Sequence, residues 1–289
     1  MDRNDSARAL RYNMFGPKTG YAIMEKRIVV GDLISEGSGG KVYNAHFRKD
    51  PKRRVVVKMV YRGDIGGEFL AASQAAEGEP HQPVEAYLFD KSDDLYVLVE
   101  NRPRKVRGAI VIPFMPVCLF DIIRESRVTP IGLKILSRTL LTEVKRVHAI
   151  GLVHRDIKLE NVMLFDEHLT CARLVDYGLA TRSTEMTEVC GTVGYMPPEM
   201  LRNETYDAKC DVFSLGVTLF AAVAGYNPFE SDTISDICDR TVRGLPYLDT
   251  AAYAEIPGDA RDFLRALMAN DPADRPTAAE ALDHPFVRE

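Results

Sequence analysis

The 289-residue chain has no tryptophan, and its five cysteines, Cys118, Cys171, Cys190, Cys210 and Cys238, follow no paired spacing. Neither a disulfide framework nor a zinc site is implied, and a reducing compartment fits best. The opening segment MDRNDSARAL lacks the apolar core that a secretory signal needs. The longest apolar run, FSLGVTLFAAVAG over 213–225, is too short to span a bilayer and reads as a buried helix. Internal repeats and low-complexity tracts are missing too. Nor is one charge sign in large excess: 37 basic against 42 acidic residues leave a net charge of −5, which argues against a general nucleic-acid binder. The basic runs RKDPKRR and NRPRKVR are local exceptions that read as solvated loops.

What is present is enough apolar sequence, 46%, for a large core or two packed lobes. Residues 1 to about 27 are of mixed character and carry no motif. RIVVGDLI and KVYNAHF then alternate as strands around a glycine turn, followed by the β-branched run RRVVVKMV. From LFDIIRES onward the period becomes helical. In LKILSRTLLTEVKRVHAIG the residues Ile135, Leu136, Thr139, Leu140, Val144 and Val147 recur at three and four positions, and Gly151 closes the helix. The chain therefore reads as a small β-rich lobe followed by a larger helical one.

The segment VHRDIKLENVML (153–164) sets an acid, a base and an amide in one short loop between apolar runs. An aspartate there can orient a hydroxyl and accept its proton, a lysine two residues on can neutralise a transferring phosphoryl group, and an asparagine can ligand a metal ion. Fifteen residues beyond Asn161 comes Asp176, after a strand-like ARLV and before Tyr177-Gly178.

These residues together resemble the catalytic core of eukaryotic serine/threonine protein kinases: HRDIKLEN is similar to the catalytic loop, and DYG to the magnesium-binding triplet with Tyr177 in place of phenylalanine. The resemblance extends over about residues 28–287. ISEGSGGKV is similar to the glycine-rich phosphate loop, VVVK to the strand bearing the nucleotide lysine, GTVGYMPPE to the segment closing the activation loop, DVFSLG to the start of the central helix and DPADRPTAAEALDHPF to the terminal helix pair.

It implies an α+β, bilobal fold with an antiparallel β-rich N-lobe over about 28–112, a hinge over about 113–117 and a helical C-lobe over about 118–287, after an N-terminal extension of residues 1–27. It also implies ATP and Mg²⁺ as cofactors, a protein substrate with a serine or threonine acceptor, and a monomer. In that scheme Asp156 orients the acceptor, Lys158 meets the γ-phosphate, and Asn161 and Asp176 hold magnesium. Lys58 meets the nucleotide, with Glu68 as its helix partner ten residues on, and Thr192 faces the catalytic pair. Gly37 and Gly40 approach the phosphates, and Ile34, Val42, Val56 and Met163 surround the base. His154 is a packed structural residue, Glu199 and Arg275 form a buried ion pair, and Asp211 anchors the catalytic loop.

Two stretches fit the adenine hinge, LYVLVENRP (95–103) and AIVIPFMPV (109–117). The second is preferred, because it makes the basic segment an exposed hairpin loop and leads directly into LFDII. Ile112 is then the gatekeeper, Pro113 offers its carbonyl, which a proline can do without loss, and Met115 donates its N–H. Arg155 beside the catalytic aspartate calls for an anion, which relatives supply as a phosphothreonine. Glu188 stands in that slot with one negative charge and two acceptor oxygens. Arg155, Glu188 and Tyr177 are accordingly the regulatory candidates, with a solvated Glu188 and a phosphosite at Thr184 or Thr187 as the alternative. Cys118 and Ala221 fall where strongly basophilic relatives carry acids. The reading from another class is a pseudokinase scaffold, which Ser35, Tyr177, the short Lys58–Glu68 interval and Pro113 keep open, although Lys58, Asp156, Asn161 and Asp176 are all retained. The IPFMP and PPE motifs are similar to those of the rhoptry kinases secreted by apicomplexan parasites, which would place the protein in a host cell.

Overall fold

A computed structural model describes residues 14–15, 27–36, 39–62, 64–75, 85–88, 96–99, 102–165, 168–244 and 256–288. The chain divides into two compact units, Met1–Phe114 and Met115–Glu289.

The first unit is built on a sheet of six strands in the order β1-β5-β8-β4-β3-β2. These are β1 (Met14–Phe15), β2 (Ile28–Glu36), β3 (Gly40–Phe47), β4 (Asp50–Val60), β5 (Glu85–Leu88) and β8 (Gly108–Pro113), and helix α1 (Ile65–Ala75) follows β4. All neighbours run antiparallel except β1, which joins the edge parallel to β5. That edge strand has no counterpart in the sequence reading of residues 1–27, since two residues carry no period.

In β4 the alternation decides the chemistry. Val55, Val57 and Met59 enter the core with Ile28, Ala45, Val106, Ala109 and Val111, so the period of two turns Val56 and Lys58 to the opposite face. On the other side of β8, Ile110 packs with Val60 and with Ile65 and Phe69 of α1. The separate hairpin of β6 (Tyr96–Val99) and β7 (Arg102–Lys105) pairs only with itself, among the described residues.

In the second unit β9 (Val117–Cys118), β10 (Val162–Leu164) and β11 (Ala172–Leu174) form a small antiparallel sheet in the order β11-β10-β9. The helices are α2 (Leu119–Glu125), α3 (Pro130–Ala149), α4 (Pro198–Leu201), α5 (Lys209–Ala224), α6 (Ile234–Arg243), α7 (Gly258–Leu267), α8 (Ala278–Ala281) and α9 (Pro285–Arg288). Thr129 caps α3 by accepting from Gly132 N–H, with Pro130 at the first turn.

The buried stripe of α3 is Leu133, Leu136, Leu140, Leu141, Val144 and Val147. Ile135 and Thr139 do not belong to it: Ile135 is 37% exposed, one turn after the exposed Ile131, and Thr139 Oγ1 donates to Leu169 C=O at 2.9 Å. The apolar pattern admits two overlapping phases there, and packing selects one. Helix α5 is buried along nearly its whole length, as its uninterrupted apolar run requires, and ends at Gly225 with φ +83°. None of the described helices is long and apolar enough to cross a membrane. All five cysteines are free thiols.

Arg275 binds this unit together. The residue is 1% exposed, and its guanidinium forks onto Glu199 at 2.8 and 3.1 Å. The same group donates to Ala269 C=O and Lys209 C=O and lies 5.0 Å from the ring of Phe213. Such a pair satisfies its own desolvation only while both partners remain. We predict that Arg275→Leu or Glu199→Gln alone lowers the unfolding free energy by about 3–5 kcal/mol in urea titration; a loss near that of a surface substitution would show that the pair is not buried in solution.

Candidate active site

The loop from Leu152 to Lys158 leaves α3 through Gly151 and is gripped from below by Asp211 of α5. Asp211 is fully buried. It accepts from His154 N–H and Arg155 N–H, each at 2.8 Å, and His148 Nε2 of α3 lies 2.9 Å from its Oδ2. Burial alone would raise its pKa, yet the hydrogen bond and charge of His148, followed by the interactions of His154, outweigh it and hold the carboxyl below its ordinary value. The grip holds Arg155 at φ +66°. That left-handed conformation costs a non-glycine residue free energy and persists only where its surroundings over-determine it.

Above this anchor four polar side chains converge. Thr192 Oγ1 donates to Asp156 Oδ1 at 2.7 Å, and Lys158 Nζ donates to Thr192 Oγ1 at 2.7 Å while standing 3.1 Å from Asp156 Oδ2. Asn161 Nδ2 donates to Asp156 C=O at 2.8 Å and to its Oδ2 at 3.2 Å, which leaves the amide oxygen as the acceptor end. Gly191 lets the next segment approach this closely: with φ +106°, a Cβ there would stand 2.6 Å from Arg155 C=O.

Asn161 C=O in turn accepts from Val175 N–H at 3.0 Å, so the residue before Asp176 is tied to the asparagine. Asp176 has φ +64°, and its side chain accepts from Gly178 N–H at 3.4 Å. Tyr177 is 4% exposed and packs on His154, ring centroids 4.9 Å apart; His154 Nε2 lies 3.0 Å from Val175 C=O. The Tyr177 hydroxyl is buried with no hydrogen-bond partner among the described residues.

Arg155 collects three acceptors: Leu179 C=O at 2.7 Å, Glu188 Oε2 at 3.1 Å and Tyr206 Oη at 3.3 Å. Tyr206 donates to Glu188 C=O at 2.5 Å, so Glu188 is held by backbone as well as by charge. Its own side chain is 72% exposed, which limits what the ion pair contributes. Cys190 Sγ stands 3.9 Å from Tyr206 Oη.

In the first unit Lys58 pairs with Glu68 at 2.6 Å, both side chains nearly enclosed. The ten-residue interval suffices because β4 ends at Val60 and α1 begins at Ile65. Val42 is in register with Lys58, and Ile34 lies on β2, about half exposed. Gly40 is needed by its neighbour: a Cβ would stand 2.7 Å from Met59 C=O and 3.3 Å from the Lys58 side chain. The expected reason, close approach to phosphate, is thus accompanied by a packing reason within the sheet itself. Gly37 lies outside the described residues. Ile112 and Pro113 end β8, opposite Val56 and Val55. In the second unit Met115 is buried and Met163 lies on β10 opposite Cys118.

Sequence reasoning missed Tyr206 and His148. Tyr206 stands 51 residues from the Arg155 it meets, and His148, though close in sequence to the loop, acts through Asp211 63 residues away; a tyrosine or histidine in a helical or loop segment carries no local signal of such a role.

Comparison with known proteins decides the family, since the protein kinase domain profile matches residues 28–287. The chain belongs to the protein kinase family. Within this family it is 28% identical over 275 residues to calcium/calmodulin-dependent protein kinase type 1 of Macrobrachium nipponense, covering 91% of this chain and 76% of that protein. To the protein of the same name from Caenorhabditis elegans it is 29% identical over 286 residues, 94% and 77% of the two chains. Myosin light chain kinase A of Dictyostelium discoideum is 27% identical over 277 residues, 92% and 89%. The α+β class and the kinase resemblance read from the motifs therefore hold.

The unpartnered hydroxyl of this kinase domain's Tyr177 makes a prediction: Tyr177→Phe removes a buried polar group and keeps the ring, so stability rises by about 1 kcal/mol in chemical denaturation. A loss of stability instead would mean that the hydroxyl is bonded in solution.

Proposed function

We propose that this kinase domain transfers the γ-phosphoryl group of ATP to serine and threonine hydroxyls of protein substrates, through Asp156. The observation that carries the reading is the Thr192–Asp156–Lys158 cluster. Asp156 Oδ1 already accepts a bond from a threonine hydroxyl at 2.7 Å, which is the geometry an acceptor hydroxyl needs. Lys158 supplies a compact positive charge within 3.1 Å of the same carboxylate, suited to a phosphoryl group in transfer. Phosphoryl transfer asks little covalent chemistry of the protein, so positioning and charge are the functions these residues serve.

Asn161 and Asp176 are the proposed magnesium ligands. The residues suit a hard cation: the asparagine amide spends its N–H₂ group on Asp156, leaving its oxygen as donor, and the Val175–Asn161 backbone bond tethers the second oxygen donor beside it. When bound, the ion would neutralise charge on the phosphates. Lys58, oriented by Glu68, is the proposed phosphate contact of the first unit, with Ile34, Gly37, Gly40, Val42, Val56 and Met163 around the nucleotide. Pro113 C=O and Met115 N–H are the proposed adenine contacts. Retention of the Asp156 cluster favours catalysis over a scaffold role.

Two outcomes are expected. Asp156→Asn lowers kcat for peptide phosphorylation by roughly 10²–10⁴-fold; equal rates for variant and parent would sink the catalytic reading. Protein made in bacteria, without loop phosphate, is active. In it Glu188→Ala reduces kcat by only about two- to fivefold, because an ion pair to so exposed an acid contributes less than about 1 kcal/mol. No activity before loop phosphorylation, or no change on Glu188→Ala, would remove Glu188 as the anion that orders the loop.

A further inference from the structure

Helix α3 carries a buried charge that the catalytic cluster does not use. Glu143 is 3% exposed and is buried in the helix together with Leu140, Val144 and Val147. Arg146, one turn on, forks onto it at 2.9 and 3.0 Å, and Arg173 Nη1 stands 3.8 Å from its Oε2. Burial pushes the Glu143 carboxyl above its ordinary value, although the charges of both arginines and the bonds from Arg146 and Leu174 pull the other way. The arginines thus do not fully offset what the carboxylate loses on leaving water, so core packing alone does not account for an acid at this place.

Glu143 holds the strand that leads to Asp176. Strand β11 is the outer strand of its three-stranded sheet, so successive N–H groups along it point alternately toward β10 and away from it. Val175 N–H turns inward, to Asn161 C=O at 3.0 Å. Leu174 N–H therefore turns outward, and Glu143 Oε1 accepts it at 3.3 Å. Leu174 is 4% exposed, and a donor so enclosed needs that acceptor. Arg173 beside it donates to Ala172 C=O at 2.8 Å while facing the same carboxylate.

The chain immediately before Asp176 is thus held from two sides, by Asn161 and by Glu143. Asp176 itself sits at φ +64°, a left-handed conformation that a non-glycine residue keeps only where its neighbours impose it. Its own bond to Gly178 N–H is 3.4 Å long, so the aim of its carboxylate depends on the strand that precedes it.

We infer that Glu143 is a positioning residue for the magnesium site: by accepting Leu174 N–H it holds Asp176 where a cation can be shared with Asn161. The inference rests on the proposed metal-binding role of Asn161 and Asp176, and adds a group that touches neither the cation nor the substrate. Arg146 and Arg173 make the buried carboxylate tolerable. Removing a hydrogen bond that supports a metal ligand typically costs about 10–100-fold in metal affinity.

The test follows metal binding and turnover separately. A fluorescent, non-hydrolysable ATP analogue is bound to the purified protein and Mg²⁺ is added until the analogue's affinity stops rising. Glu143→Met removes the acceptor: the Mg²⁺ concentration that half-completes this change rises by about 10–100-fold, and so does that for half-maximal peptide phosphorylation. Affinity for the analogue in EDTA and KM for the peptide stay within about twofold of the parent's, because neither depends on the cation's ligands. Arg146→Met breaks the ion pair but leaves the acceptor, so it lowers the melting temperature and keeps the Mg²⁺ dependence within about twofold. Should Glu143→Met not fold, the double variant Glu143→Met, Arg146→Met replaces the main ion pair by apolar side chains, which folds tolerate better than a single unpaired charge. It carries the same expectation.

A parental Mg²⁺ dependence in the Glu143 variants overturns the inference and leaves the kinase reading intact. An equal shift in Arg146→Met also overturns it, because the effect would then come from a loosened helix. No response to Mg²⁺ in the parent, or the same response in Asp176→Asn, removes the proposed metal site and the inference with it.

Discussion

The second unit turns on one carboxylate. Asp211 sits at the first turn of a buried helix and accepts from the backbone of His154 and Arg155. A helix that is apolar all round has no reason to carry a buried charge unless that charge is fully satisfied. Here it is satisfied by the loop, so the same bonds that make the aspartate tolerable fix the loop's shape. They hold Arg155 in a left-handed conformation, and that residue links the anchor to the cluster of Asp156, Lys158, Asn161 and Thr192.

From this anchor two further consequences follow. Arg155, turned by its backbone, presents its guanidinium to Leu179, Glu188 and Tyr206, so the segment carrying Thr192 is attached to the catalytic loop at two places. Tyr206 makes the attachment more than an exposed ion pair, because its hydroxyl bonds the backbone of Glu188 while its ring is buried with Val153, Met186 and Met200. The acid at 188 therefore rests on a backbone frame that any residue there would share. Its charge adds to a placement already made.

Much of this is legible in the sequence. The strands of the first unit follow from β-branched alternation, and the period of two in VVVKM is enough to set Lys58 on the face opposite Val57 and Met59. Helix α5 follows from its apolar run, and the order of the short motifs marks the polar residues of the loop. Less legible was the phase of α3, where Ile131 and Ile135 mimic a core stripe and remain exposed; hydrophobic spacing at three and four residues fits either face until a partner is known. Gly40 illustrates the same limit, since its closest neighbours belong to the next strand.

By itself the sequence determined which residues are chemically competent and which local elements carry them, because periodicity, caps and turn residues act over a few positions. Tertiary structure alone decided pairings that no motif announced: Asp211 with His148 across 63 residues and Arg155 with Tyr206 across 51. The physical reason is that a buried polar group must find its partner wherever packing brings one, and packing is a property of the whole core, which no short stretch of the chain encodes.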